Sequence, residues 1–432
     1  MTDTVHTAGH TQEISPRVIA AGAIGSVVEY FDFAVYGYVA TILATHFFVS
    51  GDSQAGLLAT LATFALAFVL RPVGGIVFGH FGDRFGRKNA LAATVVLMAA
   101  ASGLIGILPT YAAMGVGATA LLVLARCAQG IAAGGELGGA ASFVAEHSPS
   151  ARRGLYCSTT QTGALAGALA AALTVSLLTT TLGASAMSDW GWRLPFLIAI
   201  PLGVVGLWIR SRLSDTPHFQ LVAEQGEKVR APVVQTFRAH GGALARCVGL
   251  SILLFSAYYV FYVYVSIHLQ KVVGLSADLA FWSTTATLAV STLLMPFFGA
   301  LTDRVGRRPV FISASVAGVL LPVPGFMLFD AGTGWAVVSH VLLGLIDAAL
   351  MGAAFSTFAE LFPTRVRYTG IALGFNIGSA VAGGSAPYIC TWLVDVTGSP
   401  VAPAWFVMGT ALVTLVTAFT LRETSGTELR DV

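Results

Sequence analysis

Charge is what this chain has least of. Asp, Glu, Lys and Arg make up only 10% of its 432 residues and apolar side chains 56%, whereas a soluble domain carries about 25% charged residues. Such a chain cannot cover a water-facing surface, and its long charge-free segments name lipid as the solvent for much of it. Cysteine is equally sparse: Cys127, Cys157, Cys247 and Cys390 form no CxxC pair and sit in or beside apolar segments. They read as small core residues, which excludes a disulfide framework or a zinc site. The formal net charge of +2 is too small to suggest a nucleic-acid partner. No GxxxxGK[ST], HExxH or GxSxG is present, so ATP hydrolysis and an integral-membrane enzyme are not expected, and neither is a catalytic residue, a cofactor or a metal ligand.

What is there is apolar length. A transmembrane helix needs about 20 mostly apolar residues, and twelve such segments emerge, at approximately 18–47, 55–79, 89–109, 118–146, 155–182, 192–210, 244–270, 277–301, 309–329, 334–360, 369–395 and 401–421. The first is too long and wrongly flanked for a cleaved signal peptide and is expected to stay as a membrane helix. The longest polar break divides the twelve into two sets of six. The expected organisation is an all-α integral membrane protein: a tail (1–17), a six-helix bundle (18–210), a linker (211–243), a second six-helix bundle (244–421) and a short tail (422–432). With this topology nineteen of the 23 Lys and Arg residues fall on one side and only Arg193 and Lys271 on the other, Arg71 and Arg126 lying within spans. By the positive-inside rule both termini are cytoplasmic.

The halves also share motifs. Gly79-His-Phe-Gly-Asp83-Arg84-Phe-Gly86-Arg87-Lys88 returns 220 residues later as Gly299-Ala-Leu-Thr-Asp303-Arg304-Val-Gly306-Arg307-Arg308, and Glu146 with Arg152-Arg153-Gly154 is echoed by Glu360 with Arg365-Val-Arg367 and Gly370. Repeats at nearly equal spacing indicate duplicated halves, as in secondary transporters.

The doubled G-x-x-x-D-R-x-G-R-[KR] resembles the loop signature of the major facilitator superfamily. Val28-Glu29-Tyr-Phe-Asp32-Phe33, Arg71-Pro72-x-Gly74-Gly75, Arg126-x-x-Gln129-Gly130-x-x-x-Gly134-Gly135-Glu136, Trp190-Gly-Trp192-Arg193-x-Pro195-Phe196 and Phe362-Pro363-Thr364-Arg365-Val-Arg367-Tyr368 resemble its metabolite:proton symporter branch. Leu213-Ser-Asp215-Thr216-Pro217-x-Phe219 and Phe375-Asn376-Ile377 bring it nearest to proline/glycine-betaine osmolyte symporters. Osmosensing members can carry a long C-terminal coiled coil, and with about eleven residues after the last span regulation through such a tail is not expected. The resemblance implies a multi-pass protein of a bacterial cytoplasmic (inner) membrane that uses the proton gradient as its energy source. It also implies that the repeated motif latches the cytoplasmic ends of the halves, through Asp83, Arg84, Gly86 and Arg87 in the first half and Asp303, Arg304, Gly306 and Arg307 in the second. Glu146 and Glu360 read as latch partners. The alternative is that these are only topology-setting charges.

Charged groups inside spans are functional hypotheses by default, since each costs at least about 2.5 kcal/mol on insertion scales. Glu29 and Asp32 share a helix face, roughly 18 and 22 Å from the cytoplasmic boundary, and Arg126 enters from the opposite side. Two carboxylates beside one Arg leave one acid suited to take up and release a proton near neutral pH. Glu29 or Asp32 is thus a proton carrier, with Arg126 as counter-ion or anchor for a substrate carboxylate, or the three are a structural ion cluster. Gln129 lies one turn from Arg126. Glu136 either continues a proton route inward, supports Gly-rich packing, or binds Arg71. Asp347, with His340 seven residues earlier, contacts the positive end of a zwitterion, serves as a second proton site, or pairs locally. Tyr258, Tyr259 and Tyr262 either line the cavity and offer cation–π contact to an ammonium group or are core packing or an interfacial belt.

The expected function is a proton-coupled symporter of a small polar metabolite by alternating access. A zwitterionic osmolyte such as betaine or proline is favoured, an organic acid (2-oxoglutarate, citrate, shikimate) is the alternative, and a channel or non-transporting sensor is more remote. The expected partners are a small-molecule substrate, protons and the lipid bilayer.

Overall fold

Lipid offers backbone N–H and C=O groups no partner, so a segment that crosses it must satisfy them internally. Every regular element among the described residues is helical. The computed structural model describes residues 16–48, 52–85, 87–134, 141–142, 144–146, 148–211 and 232–429, with side chains from Ile24 onward except at 79, 80, 82–88, 91, 209–211, 232–235 and 365. Gly86 and Glu136, and the side chains of Asp83, Arg84 and Arg87, lie outside the described residues.

Twelve spans follow in order. They are α1 (Pro16–Tyr38 and, past a break, Ala40–Phe47), α2 (Ser53–Phe85), α3 (Arg87–Ile107), α4 (Val116–Gly134), α5 (Arg153–Ala186) and α6 (Arg193–Ser211), then α7 (Gly241–Lys271), α8 (Ala277–Val305), α9 (Arg307–Leu320 and Pro322–Leu328), α10 (Thr333–Leu361), α11 (Thr364–Gly378 running on to Ala386–Thr397) and α12 (Ala402–Phe419). Eight are individually long and apolar enough to cross a bilayer, α1 and α9 qualify when their bent parts are taken together, and α3 and α6 contain the shorter apolar stretches Ala92–Ile107 and Arg193–Trp208.

Two spans expected to be continuous are bent, α1 by 62° and α9 by 48°. In α9 the break falls at Pro322, which has no N–H to give the preceding turn and whose ring crowds the carbonyl four residues back, while Leu321 before it keeps helical dihedrals; no proline marks the break in α1. A π-helical turn, Val260–Tyr264, interrupts α7. The repeated motif also corrects an expectation. Its Asp and first Arg are not in a loop, because α2 runs to Phe85 and α8 to Val305. The second helix stops at Gly306, whose φ of 102° few other residues adopt.

The contacts between spans reveal the duplication. Within the first half α1 packs on α5, α2 on α4 and α3 on α6; within the second, α7 packs on α11, α8 on α10 and α9 on α12. Each pair has its counterpart six spans later. The halves meet along α5 with α8 and along α2 with α11, which are again counterparts.

Small residues set how closely these helices approach, as in other membrane bundles. A Cβ on Gly130 of α4 would overlap the carbonyl oxygen of Ala67 on α2, and one on Gly134 that of Arg71. Gly374 and Gly378 of α11 likewise abut Cys247 and Ser251 of α7. Gly130→Ala is therefore expected to force α4 off α2 at a cost of about 1–3 kcal/mol, read as a melting temperature several degrees lower in detergent; an unchanged melting temperature would show the crossing to be tolerant.

Candidate functional site

The α2–α4 crossing fixes where buried charge collects, because Arg71 of α2 lies against Gly134 and Arg126 lies two turns away along α4. Both guanidinium groups are buried. Arg71 Nη2 donates to Glu29 Oε1 of α1 at 2.5 Å, so the partner of Glu29 is Arg71 and not Arg126. That corrects the grouping of both carboxylates around Arg126. Arg71 is thus paired with Glu29; the contact with Glu136 weighed above lies outside the described residues.

Asp32, one turn further along α1, has different company. Ser102 of α3 donates a hydrogen bond to Asp32 Oδ1, and Gln129 Nε2 donates to Asp32 Oδ2 at 2.6 Å. Arg126 Nη1 donates to Gln129 Oε1 at 2.7 Å, so the Arg reaches the acid through an amide. A Gln between them screens direct ion pairing and leaves Asp32 with neutral donors only.

Aromatic rings isolate these charges. Phe33 stands between the two cations, its centroid 4.7 Å from the Arg71 guanidinium carbon and 4.9 Å from that of Arg126. Phe68 covers Arg71 at 4.6 Å, and Tyr36 covers Arg126 at 4.2 Å. These contacts supply cation–π attraction where no water is available. Arg71 Nε and Nη1 and Arg126 Nε and Nη2 have no hydrogen-bond partner among the described residues.

The second half faces this cluster with α7 and α10. Tyr259 packs edge-on to Phe64 and Phe68 of α2, and Tyr258 to Tyr30 of α1, at 5.6, 5.0 and 5.4 Å. Tyr258 and Tyr259 also meet each other at 4.8 Å, so the two rings stand at the seam between the halves. Tyr262 also packs edge-on to Tyr258, but its hydroxyl donates to the Gly344 carbonyl at 2.7 Å. Asp347 is fully buried, and neither carboxylate oxygen has a hydrogen-bond partner among the described residues. His340 is engaged elsewhere: its Nε2 meets the carbonyl of Phe261 at 2.6 Å and its Nδ1 the Ser283 hydroxyl at 2.8 Å. A carbonyl only accepts, so Nε2 carries a proton.

At the end of the bundle where the repeated motif lies, the halves are joined. Arg153 of α5 pairs with Glu360 of α10 at 2.8 Å, and Arg367 of α11 with Glu146 at 2.7 Å. Arg307 bonds Asp303 at 2.8 Å and Glu360 at 3.2 Å. Asp303 accepts from the first-turn amides of Gly154 and Leu155 on α5, at 2.8 and 2.9 Å, where the positive end of the helix favours a carboxylate. Arg304 departs from expectation: it is exposed and takes part in none of the ion pairs found among the described residues. It follows Asp303 directly and so faces away from the seam.

Sequence reasoning missed a clasp made by the chain beyond α12. Glu423 accepts from the backbone amides of Arg307 at 2.9 Å and Arg308 at 3.1 Å. Thr424 donates to Glu360 at 2.5 Å, and the Thr427 carbonyl accepts from Arg153 at 3.0 Å. Partial burial of Glu423 opposes its ionisation, but four backbone N–H groups outweigh this and hold its carboxyl below the usual carboxylate range. The clasp is therefore intact at neutral pH and loosens only as pH falls through that lowered value. Ser102 was also missed, and nothing in a lone Ser within an apolar span flags it; Phe33, Arg153 and Arg367 stood in the quoted motifs without a role.

Comparison with known proteins follows from this geometry. A family model described as "Sugar (and other) transporter" matches residues 18–238, and one described as "Major Facilitator Superfamily" matches residues 247–431. The proline/betaine transporter of Salmonella typhimurium is 36% identical over 426 residues, which are 96% of this chain and 85% of that protein. A glycine betaine/proline/ectoine/pipecolic acid transporter of Dickeya dadantii is 37% identical over 424 residues, 96% of this chain and 84% of the relative. Among solved structures, a proton:xylose symporter bound to 6-bromo-6-deoxy-D-glucose superposes with TM-score 0.75 at 18% identity, covering 96% of this chain and 97% of the other. The inward-open form of the xylose transporter from E. coli gives a TM-score of 0.69 at 18% identity, covering 94% and 96%. The fold is that of a multi-pass membrane protein in two six-helix halves.

Proposed function

Because the chain belongs to the major facilitator superfamily, we propose that it is a proton-coupled symporter carrying a small zwitterionic osmolyte, of the proline or glycine betaine kind, by alternating access between its two halves. The substrate class is supported by the names of relatives that match nearly the whole chain. The proton gradient supplies the energy, and the membrane is the cytoplasmic membrane of a bacterium with both termini inside, as the asymmetry of Lys and Arg supports.

Asp32 is the observation that carries the coupling. It is buried, held by neutral donors from α3 and α4, and linked to Arg126 only through Gln129. Such a carboxylate can alternate between charged and neutral forms, and a change of its charge alters the balance of the Gln129–Arg126 chain across the first half. Glu29, tied to Arg71, stays ionised as a fixed counter-ion. The joined end, with Arg153, Glu360, Arg307 and Asp303, is the cytoplasmic gate in its closed position. Opening it separates Arg153 from Glu360 and Arg367 from Glu146.

Uptake into proteoliposomes tests the reading. Betaine or proline should accumulate saturably when the interior is made alkaline, and an uncoupler should abolish the accumulation. Uptake indifferent to the uncoupler removes proton coupling, and accumulation of 2-oxoglutarate, citrate or shikimate in place of the zwitterions removes the osmolyte assignment.

A further inference from the structure

Asp347 is a fully buried carboxylate in the membrane interior whose two oxygens have no hydrogen-bond partner among the described residues. A charge shut away from water persists only where something neutralises it, and among the described residues no cation pairs with it. Its neighbours are aromatic. One turn before it, the Gly344 carbonyl accepts from the Tyr262 hydroxyl of α7 at 2.7 Å, and Tyr262 meets Tyr258, which in turn meets Tyr30 of α1; the acid thus lies beside a group of aromatic rings at the seam between the halves, and ring faces attract cations.

The opposite pole is Arg71. One edge of its guanidinium is taken by Glu29, both Phe33 and Phe68 cover it, and Nε and Nη1 remain without partners. Phe68, which covers Arg71, meets Tyr259 at 5.0 Å, and Tyr259 meets Tyr258 at 4.8 Å, so one run of rings leads from Arg71 to the tyrosines beside Asp347. An unsatisfied anion and an incompletely satisfied cation thus share one aromatic wall. Resting on the osmolyte reading above, we propose that Asp347 binds the ammonium end of the zwitterion and Arg71 its carboxylate, with Tyr30, Tyr258 and Tyr259 forming the wall between them.

The test compares glycine betaine with 3,3-dimethylbutanoate, its isostere in which carbon replaces the charged nitrogen. The wild type should bind betaine more tightly by about 30-fold, the usual consequence of losing a desolvated charge partner. Asp347→Asn should bring the two ligands to within about threefold by weakening betaine alone. A folded Asp347→Asn protein that keeps the wild-type preference, or that loses both ligands equally, overturns the assignment. Should Asp347→Asn fail to fold, Tyr258→Leu replaces it: a reduced preference for betaine supports the site and an unchanged one overturns it. A wild type that binds neither betaine nor proline fails at the osmolyte reading itself. One that binds betaine while Asp347→Asn changes nothing fails only at Asp347.

Discussion

Asp32→Asn is expected to abolish accumulation against a gradient while leaving the exchange of bound for free substrate intact. With one proton coupled per substrate, a one-unit pH gradient sustains about tenfold accumulation, because each pH unit is worth 1.36 kcal/mol. The variant should reach about onefold, the value of simple equilibration, because the amide has no proton to carry. Packing should survive. The Asn oxygen can accept from Gln129 in place of Asp32 Oδ2, and its NH2 can donate to the Ser102 hydroxyl, so both contacts of the wild type are kept in altered polarity. Measuring accumulation and counterflow on the same proteoliposomes separates the effects. A variant that still concentrates substrate tenfold would clear Asp32 of the coupling role, and loss of counterflow as well would point to a binding or folding defect.

Glu360→Gln should unlatch the cytoplasmic side. Glu360 is the residue through which Arg153 of the first half and Arg307 of the second are joined, and Thr424 donates to it as well. Hydrogen bonds to charged partners are worth about 1.5–3 kcal/mol, so removing the charge should raise the inward-open population by about 30-fold. Cys157 is a native reporter, being buried one turn beyond Gly154 and within Coulombic reach of Glu360, Arg153, Arg307 and Asp303. Its labelling by a maleimide applied from the cytoplasmic side should accelerate by the same factor. Cys247, buried against Gly374 in the interior of the second half, serves as the reference and should label as in the wild type. Equal labelling of Cys157 in both proteins would show that Glu360 does not hold the gate.

Much of this architecture is legible in the sequence because a bilayer allows few solutions. Span number, the duplication and the asymmetry of basic residues follow from apolar length and repeated motifs, and the pairing of α1 with α5 and α7 with α11 agrees with them. Charged positions in the site were also visible, since Glu29, Asp32, Arg71, Arg126 and Asp347 interrupt apolar runs. Their partners were not. Which carboxylate meets which Arg depends on where α2 crosses α4, and that is set by Gly130 and Gly134 against backbone carbonyls. Periodicity along a single helix carries no such information. Neutral intermediaries such as Ser102 and Gln129 change an expected ion pair into a relay, and their residue types are common in any span. The bend in α1 escaped for a related reason, as no proline or charge announces it.

The clasp formed by Glu423, Thr424 and Thr427 bears on how the protein is made. Those residues follow all twelve spans in the chain, yet they bond Arg307, Glu360 and Arg153. During biosynthesis the bundles must insert and pair before the fastening that joins their inner ends can be completed. A nascent chain halted before its last helix therefore stays unfastened at that end, open to quality-control proteases at the place where the finished molecule is sealed.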